Sequence, residues 1–234
     1  MLPDNPVFVA LDTTDLVQAA AWANAVQQHV GGVKLGLEFF NSNGPDGVRR
    51  IVDLGLPVFL DLKFHDIPNT VAGAVRAVAG LGAAIVNVHA SGGPAMLTAA
   101  VEAAAEHGAN RPLVVAVTVL TSLDDGDLAS VGQATAAASQ VERLARLTLS
   151  CGLDGVVCSS AEITILRATF SDNFRLIVPG IRPSWSNAGD QKRIMTPREA
   201  RDLGADVLVI GRPITSSGDP AAAAARIAEE LEDV

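Results

Sequence analysis

Eight short apolar runs rich in β-branched residues recur along the chain, and alanine-rich amphipathic stretches alternate with them. Short apolar runs of this kind predict buried strands, whereas longer stretches with helical periodicity predict helices. The predicted strands are residues 7–11, 32–37, 57–63, 85–90, 113–119, 155–159, 175–180 and 206–211. The predicted helices are residues 15–29, 45–54, 69–81, 94–107, 134–150, 160–169, 196–203 and 220–232. This alternation is typical of α/β proteins with a parallel sheet.

Eight strand–helix units in 234 residues predict a single (β/α)8 barrel, the TIM-barrel form of the α/β class. The alternative is a doubly wound open sheet, which usually carries a glycine-rich fingerprint after its first strand. Here the first strand leads into ALDTTD (10–15), which lacks that fingerprint. No shift in composition marks a linker, so we expect residues 1–234 to form one catalytic barrel domain.

Charge and cysteine content exclude several classes of protein. A formal net charge of −9 and a sequence pI of about 4.8 argue against a nucleic-acid-binding surface. The two cysteines, Cys151 and Cys158, are too few for a disulfide scaffold and form no cluster that indicates zinc. The first residues lack the basic region of a signal peptide, and no apolar run is long enough to span a membrane. We therefore expect a soluble, cytoplasmic protein.

Charged residues crowd the end of the third predicted strand, where residues 61–70 read DLKFHDIPNT. Because side chains alternate along a strand, Phe59, Asp61 and Lys63 are predicted to share one face. In a barrel that face can point inward at the mouth, and Lys34 on the second strand can join it. A structural network of ion pairs closing the barrel is the alternative, because buried charges must be paired or solvated. Three charges within six residues, with a lysine on the neighbouring strand, favour a functional site.

Further polar groups follow neighbouring strands. Asp12 ends the first strand, and Asn87 and His89 lie on the fourth. In a parallel barrel the carboxyl ends of all strands meet at one face, where active sites are built. The sequence therefore predicts a polar site at this face.

Two loops near the end of the chain indicate a phosphate site. VPGIRPSWSNAGDQKR (178–193) follows the seventh strand and VIGRPIT (209–215) follows the eighth. Barrel enzymes often bind a phosphate between these two loops. Gly211 would let the backbone approach the anion, Arg212 would make charge-assisted hydrogen bonds to it, and Gln191 could close over it. A surface arginine after a strand is the simpler alternative.

Taken together, these motifs resemble the orotidine 5′-monophosphate decarboxylase family in its short bacterial form. The matching stretches are ALD with Asp12, VKLG with Lys34, DLKFHDIPNT (61–70), NVHASGG (87–93), TVLTS (118–122), PGIRP (179–183), GDQKRIMTP (189–197) and IGRPIT (210–215). They span nearly the whole chain, and no functional position departs from the family pattern. The ten-residue central motif is the most specific of them.

The resemblance implies a homodimeric barrel, without metal or cofactor, that converts orotidine 5′-monophosphate to UMP in pyrimidine synthesis. It implies catalytic roles for Lys34, Asp61, Lys63 and Asp66, with Lys63 as the proton donor and Asp66 reaching in from the other subunit. It implies that substrate is bound by Asp12, Lys34, Thr70, Thr121, Ser122, Arg182, Gln191, Gly211 and Arg212. Within that set Thr70 would also come from the neighbour, Arg182 would lie at the base of a closing loop, and Gln191, Gly211 and Arg212 would hold the phosphate.

Three other functions are compatible with parts of this pattern. A magnesium-dependent sugar-phosphate decarboxylase of a related barrel family would share the D-x-K-x-x-D spacing, but we expect a carboxylate there in place of Lys34. A barrel that binds a phosphorylated ligand without turnover would not need every charged residue present. A Schiff-base aldolase could use Lys63 as its nucleophile.

Overall fold

The computed structural model describes residues 2–133, 136–186 and 195–232. Eight parallel strands form a closed barrel in chain order, and the last strand pairs with the first. The strands are Val7–Ala10 (β1), Gly32–Gly36 (β2), Val58–Phe64 (β3), Ile85–His89 (β4), Leu113–Val117 (β5), Gly155–Val157 (β6), Arg175–Pro179 (β7) and Val207–Ile210 (β8). Each lies within one residue or a few residues of its predicted position, so the predicted (β/α)8 barrel is confirmed.

Ten α-helices of the described residues surround the barrel. They are Leu16–Val26 (α1), Leu37–Val52 (α2), Pro68–Ala79 (α3), Pro94–Ala105 (α4), Asp125–Ser130 (α5), Ala137–Ser150 (α6), Ile163–Thr169 (α7), Pro197–Asp202 (α8), Arg212–Thr215 (α9) and Pro220–Glu232 (α10). None of these helices has both the length and the hydrophobicity needed to cross a membrane.

The predicted helices differ from the observed ones in two respects. Helix α2 begins at Leu37, earlier than predicted. It contains a kink at Gly44, which has a φ of 61° and precedes Pro45. The prediction covered only the part of the helix after this kink. Helices α5 and α9 are short and were not predicted, since they lie in the loops after β5 and β8. Helix α5 is stabilised by a capping box in which Asp124 and Asp127 each accept a hydrogen bond from the other's backbone N–H.

Two apolar layers follow from the alternation of side chains along each strand. On β1, Val7 and Val9 pack outward against the helices, while Phe8 points into the barrel. The inner layer also contains Phe59 and Ile85. Towards the carboxyl ends of the strands, charged side chains replace this apolar inner layer. The barrel therefore has a packed apolar interior beneath a polar mouth.

Strand β3 departs from regular geometry at its carboxyl end. Its register with β4 shifts between Leu60 and Phe64. Within this bulge Lys63 has a φ of 52°, and it is the one non-glycine residue in the described ranges with a positive φ. Such a backbone conformation costs an ordinary residue about 1–2 kcal/mol and persists where the surroundings enforce it. The predicted alternation nevertheless holds, since Leu62 and Phe64 pack with the outer layer while Phe59, Asp61 and Lys63 line one cavity at the barrel mouth.

Candidate active site

Charged side chains from β1, β2 and β3 meet at the mouth of the barrel. The Asp61 carboxylate lies at the centre, with Lys63 Nζ 2.6 Å from its Oδ1 and Lys34 Nζ 3.5 Å from its Oδ2. The Lys34 ammonium also donates to Asp12 Oδ1 at 2.9 Å. The cluster is therefore an alternating chain of carboxylates and ammonium groups, in the order Asp12, Lys34, Asp61 and Lys63.

Local backbone geometry makes room for the cluster. Lys34 pairs with Phe59 across the sheet and Gly36 pairs with Asp61, so all four residues share the inner face. A Cβ atom at position 36 would lie 2.9 Å from Lys34 Nζ, which is closer than Cβ atoms approach other heavy atoms in protein structures. The glycine thus leaves the space that the Lys34 ammonium occupies.

The pKa of Asp61 reflects two opposing effects. Burial raises it, but the charges of Lys34 and Lys63 and the hydrogen bonds from Lys63 and Asn87 outweigh burial. As a result the pKa of Asp61 lies below its ordinary value, and the carboxylate is ionised at neutral pH. Asp61 and Lys34 are both buried, so their attraction is screened less than that of a surface pair.

Asn87 on β4 is fully buried beside the cluster. Its Nδ2 donates to Asp61 Oδ1 at 2.7 Å, and its Oδ1 accepts a hydrogen bond from the Lys63 backbone N–H at 2.7 Å. The sequence indicated a polar group at this strand end but assigned it no role. The distance along the chain between Asn87 and the charged motif does not indicate that Asn87 contacts Asp61 or Lys63.

A cavity of about 320 Å³ opens above the cluster. Its polar lining brings together most of the residues that the sequence analysis selected: Asp12, Lys34, Asp61, Lys63, Thr121, Arg182, Gly211 and Arg212. The cavity thus joins the lysine–carboxylate cluster on one side to the loops after β7 and β8 on the other. A volume of this size is within the range of small-molecule sites.

A second cavity, of about 580 Å³, adjoins the first under the loop after β5. Thr121 and Pro179 line both cavities, and Ser122 lines the second. Ser122 is therefore next to the charged cluster's cavity without lining it.

The arginines after β7 and β8 differ in burial. Arg182 is buried, and its guanidinium donates to the Ile181 carbonyl at 3.0 Å. Arg212 is exposed and begins α9 directly after Gly211. Gln191, the third predicted phosphate ligand, lies outside the described residues.

Two predicted site residues are not brought into the cluster of this chain. Asp66 and Thr70 are exposed on the segment that leaves β3 and enters α3. The Asp66 carboxylate accepts a hydrogen bond from the Ile67 backbone N–H at 2.7 Å, and Ile67 itself is 68% exposed. Their position leaves both side chains accessible to another molecule.

His89, at the carboxyl end of β4, lies with its ring centroid 5.4 Å from that of His65. Burial lowers the pKa of His89, and the nearby His65 and Lys63 lower it further against the opposing effect of Asp61. His89 is therefore neutral at neutral pH. It is a packed imidazole of the barrel mouth and carries no charge into the cluster.

A closed barrel with a charged cluster at the carboxyl ends of β1–β3 and an arginine after β8 defines a (β/α)8-barrel protein built to hold an anionic small molecule. Comparison with known proteins gives the particular family. A family model described as Orotidine 5′-phosphate decarboxylase / HUMPS family matches residues 5–227, and the chain belongs to this family. The predicted family membership is thereby confirmed.

Relatives and solved structures agree over nearly the full chain. A protein named orotidine 5′-phosphate decarboxylase from Paramagnetospirillum magneticum is 56% identical over 231 residues, covering 97% of this chain and 98% of the relative. The protein of the same name from Rhodospirillum rubrum is 57% identical over 235 residues, covering 98% of this chain and 95% of the relative. The crystal structure of orotidine 5′-phosphate decarboxylase from Lactobacillus acidophilus superposes with a TM-score of 0.87 at 36% identity, covering 98% of this chain and all of that one.

Proposed function

We propose that this protein is a carboxy-lyase that decarboxylates orotidine 5′-monophosphate to UMP in pyrimidine biosynthesis. Relatives that are more than half identical carry the name of this activity. The observation that carries the proposal is the cluster of Lys34, Asp61 and Lys63, which lines the same cavity as Arg212. One end of the cavity suits a reacting carboxylate and the other suits a phosphate. The reaction takes place in the cytoplasm, where nucleotide precursors are made.

The reaction needs a cation beside one carbon atom. Loss of carbon dioxide from C6 of the pyrimidine leaves an electron pair in an sp² orbital, which cannot delocalise into the ring. An ammonium group held beside C6 stabilises that charge and then supplies the proton. Lys63 has this role, because its ammonium lies at the cavity and is held by Asp61.

The other charged groups position Lys63 and bind the ribose. Asp61 holds the ammonium of Lys63 and lies next to the substrate carboxylate, which it disfavours in the ground state. Lys34 links Asp61 to Asp12, so movement of one charge is resisted by the others. Asp12 is half-exposed at the cavity wall and binds the ribose hydroxyls together with Lys34.

The remaining lining residues hold the two ends of the nucleotide. Thr121 and Ser122, in the loop after β5, lie against the pyrimidine. Gly211 and Arg212 bind the phosphate, Gln191 completes that site, and Arg182 supports the loop after β7. The phosphate does not react, but its binding energy organises the site around the pyrimidine.

The functional unit is a homodimer in which each site uses residues of both chains. Asp66 completes the charge cluster of the neighbouring subunit and Thr70 binds the neighbour's ribose. In support, both residues are exposed and outside the cluster of their own chain, beside the exposed Ile67. A two-fold dimer would repeat this exchange at both sites.

Mixing inactive variants tests the shared site. Lys63→Ala and Asp66→Ala chains are unfolded and refolded together, so that random pairing makes about half of the dimers mixed. Each mixed dimer has one site with both lesions and one with neither, so activity should return at roughly a quarter of the wild-type number of sites. Separately refolded chains are the control. If heterodimers form and no activity returns, Asp66 serves its own chain.

The activity itself is tested by a spectrophotometric assay with orotidine 5′-monophosphate, with and without excess chelator. We expect the same turnover in both conditions. The related metal-dependent sugar-phosphate decarboxylases would lose activity with chelator; Lys34 argues against them, because an ammonium 3.5 Å from Asp61 repels a cation there. Tight binding of the nucleotide without turnover would indicate a non-catalytic binding protein instead, and trapping of substrate by borohydride would indicate a Schiff-base enzyme.

A further inference from the structure

Asn87 makes two hydrogen bonds within the charged cluster. Its amide oxygen accepts from the backbone of Lys63, and its amide nitrogen donates to the side chain of Asp61. These are the two members of the ion pair at the centre of the proposed mechanism. A single side chain on β4 therefore contacts both halves of a pair on β3.

The backbone contact coincides with the irregular point of β3. In a regular parallel ladder the N–H of a strand residue bonds to a neighbouring carbonyl, but the register shift between Leu60 and Phe64 interrupts that pattern. The Asn87 oxygen takes the place of a carbonyl for the Lys63 N–H at 2.7 Å. This bond holds Lys63 at a φ of 52°, a conformation that needs support from its surroundings.

The side-chain contact fixes the carboxylate. Asp61 Oδ1 receives hydrogen bonds from both Lys63 Nζ and Asn87 Nδ2, at 2.6 and 2.7 Å. The amide proton thereby directs one oxygen of Asp61 toward Lys63 and leaves the other oxygen for Lys34. The orientation of the central carboxylate thus depends on Asn87.

Burial of an amide at this position has no advantage for packing. Asn87 is fully buried, and its strand neighbours in the inner layer are Ile85 on β4 and Val115 on β5. An aliphatic side chain would fill the same space without the desolvation cost of an amide. The polar side chain is therefore explained by the two bonds that it makes.

We infer that Asn87 is a positioning residue for the decarboxylation, which holds the backbone of Lys63 and the carboxylate of Asp61 in the geometry that the reaction requires. The inference rests on the proposed function. Asn87 acts through these two residues, so its loss should reduce the rate of the chemical step and leave nucleotide binding largely unchanged. A purely structural role would instead reduce kcat and the number of UMP-binding sites in equal proportion, through loss of folded protein.

Two variants separate the two bonds. Asn87→Leu keeps the branched shape and removes both hydrogen bonds. Asn87→Asp keeps an acceptor for the Lys63 N–H but replaces the donor with a carboxylate facing Asp61. Thr148→Val is the matched control, because Thr148 is also fully buried and loses one side-chain hydrogen bond, to the Leu144 carbonyl, on an outer helix.

The measurements are kcat for orotidine 5′-monophosphate, the Kd for the product UMP, and hydrogen exchange at the Lys63 amide. We expect kcat of Asn87→Leu to fall about 100-fold and that of Asn87→Asp at least about tenfold, with the Kd for UMP within about threefold of wild type. Exchange at Lys63 should become faster in Asn87→Leu. The control should retain wild-type kcat.

Other results would overturn the inference. These are a kcat within about threefold of wild type in both variants, a loss of kcat matched by an equal loss of UMP binding, or unchanged Lys63 exchange in Asn87→Leu. If Asn87→Leu does not fold, the inference is tested by kcat and UMP binding of Asn87→Asp alone. An inactive wild-type protein would instead refute the proposed function, so the two failures are distinguishable.

Discussion

Replacement of Lys63 by alanine tests the proposed chemistry most directly. The Lys63 ammonium is assigned two tasks, stabilisation of the carbanion at C6 and delivery of the proton. A positioned proton donor contributes about 10²- to 10⁴-fold in rate, and a preorganised electrostatic contact to developing charge contributes about 10²- to 10³-fold. Loss of both should slow turnover by about 10⁴- to 10⁷-fold, which corresponds to about 5–10 kcal/mol of barrier.

The structure indicates that this variant folds. Without Lys63 the Asp61 carboxylate keeps the Asn87 hydrogen bond at 2.7 Å and the Lys34 ammonium at 3.5 Å, so it is not left as an unpaired buried charge. Alanine has a Cβ like lysine, so the cost of the φ of 52° at this position is unchanged. The loss of activity should therefore come from the missing ammonium group.

The assay is the absorbance change during decarboxylation of orotidine 5′-monophosphate, with circular dichroism and UMP binding as measures of folding. Arg49→Ala is the control, because it removes an exposed ion pair with Asp46 on α2 and should leave turnover unchanged. A folded Lys63→Ala protein that retains more than about 1% of wild-type kcat/KM would refute the assignment of Lys63 as the proton donor.

Three further predictions concern other parts of the site. Arg212→Ala should raise KM and lower kcat together in steady-state kinetics, because phosphate binding also organises the site; an unchanged kcat/KM would place the phosphate elsewhere. Gly36→Ala would put a Cβ 2.9 Å from Lys34 Nζ, so kcat/KM should fall at least about tenfold, and equal activity would show that the lysine can move without consequence. The pKa of Asp61 is depressed in the folded protein, so its stabilising contribution is present above the ordinary carboxyl pKa and is lost as the pH falls through the depressed value. In acid, denaturant titrations should therefore show a smaller loss of unfolding free energy for Asp61→Asn than for wild type, and parallel losses would contradict the ion-pair assignment.

Much of the barrel was predictable because its signals are local. Each strand is a short apolar run, and the period of two along a strand explains why Val7 and Val9 face the helices while Phe8 faces the interior. The same period placed Asp61 on the inner face, at the mouth of the barrel. Closure of the barrel then brings the carboxyl ends of all strands to one face, so fold class and site location followed from the order of the runs. Helices α5 and α9 were missed because they are short helices inside loops with no apolar period of their own.

The geometry that makes the cluster work was decided by tertiary contacts. The left-handed backbone of Lys63 has no local cause in the sequence, since lysine does not favour it; the Asn87 side chain, 24 positions further along the chain, supplies the bond that holds it. Likewise, alternation alone could not show that Gly36 leaves the space for the ammonium of Lys34. The sequence by itself determined which chemical groups reach the mouth of the barrel, because periodicity is a property of neighbouring residues. Only the tertiary structure determined their distances and hydrogen bonds, because these depend on side chains that come together from separate strands.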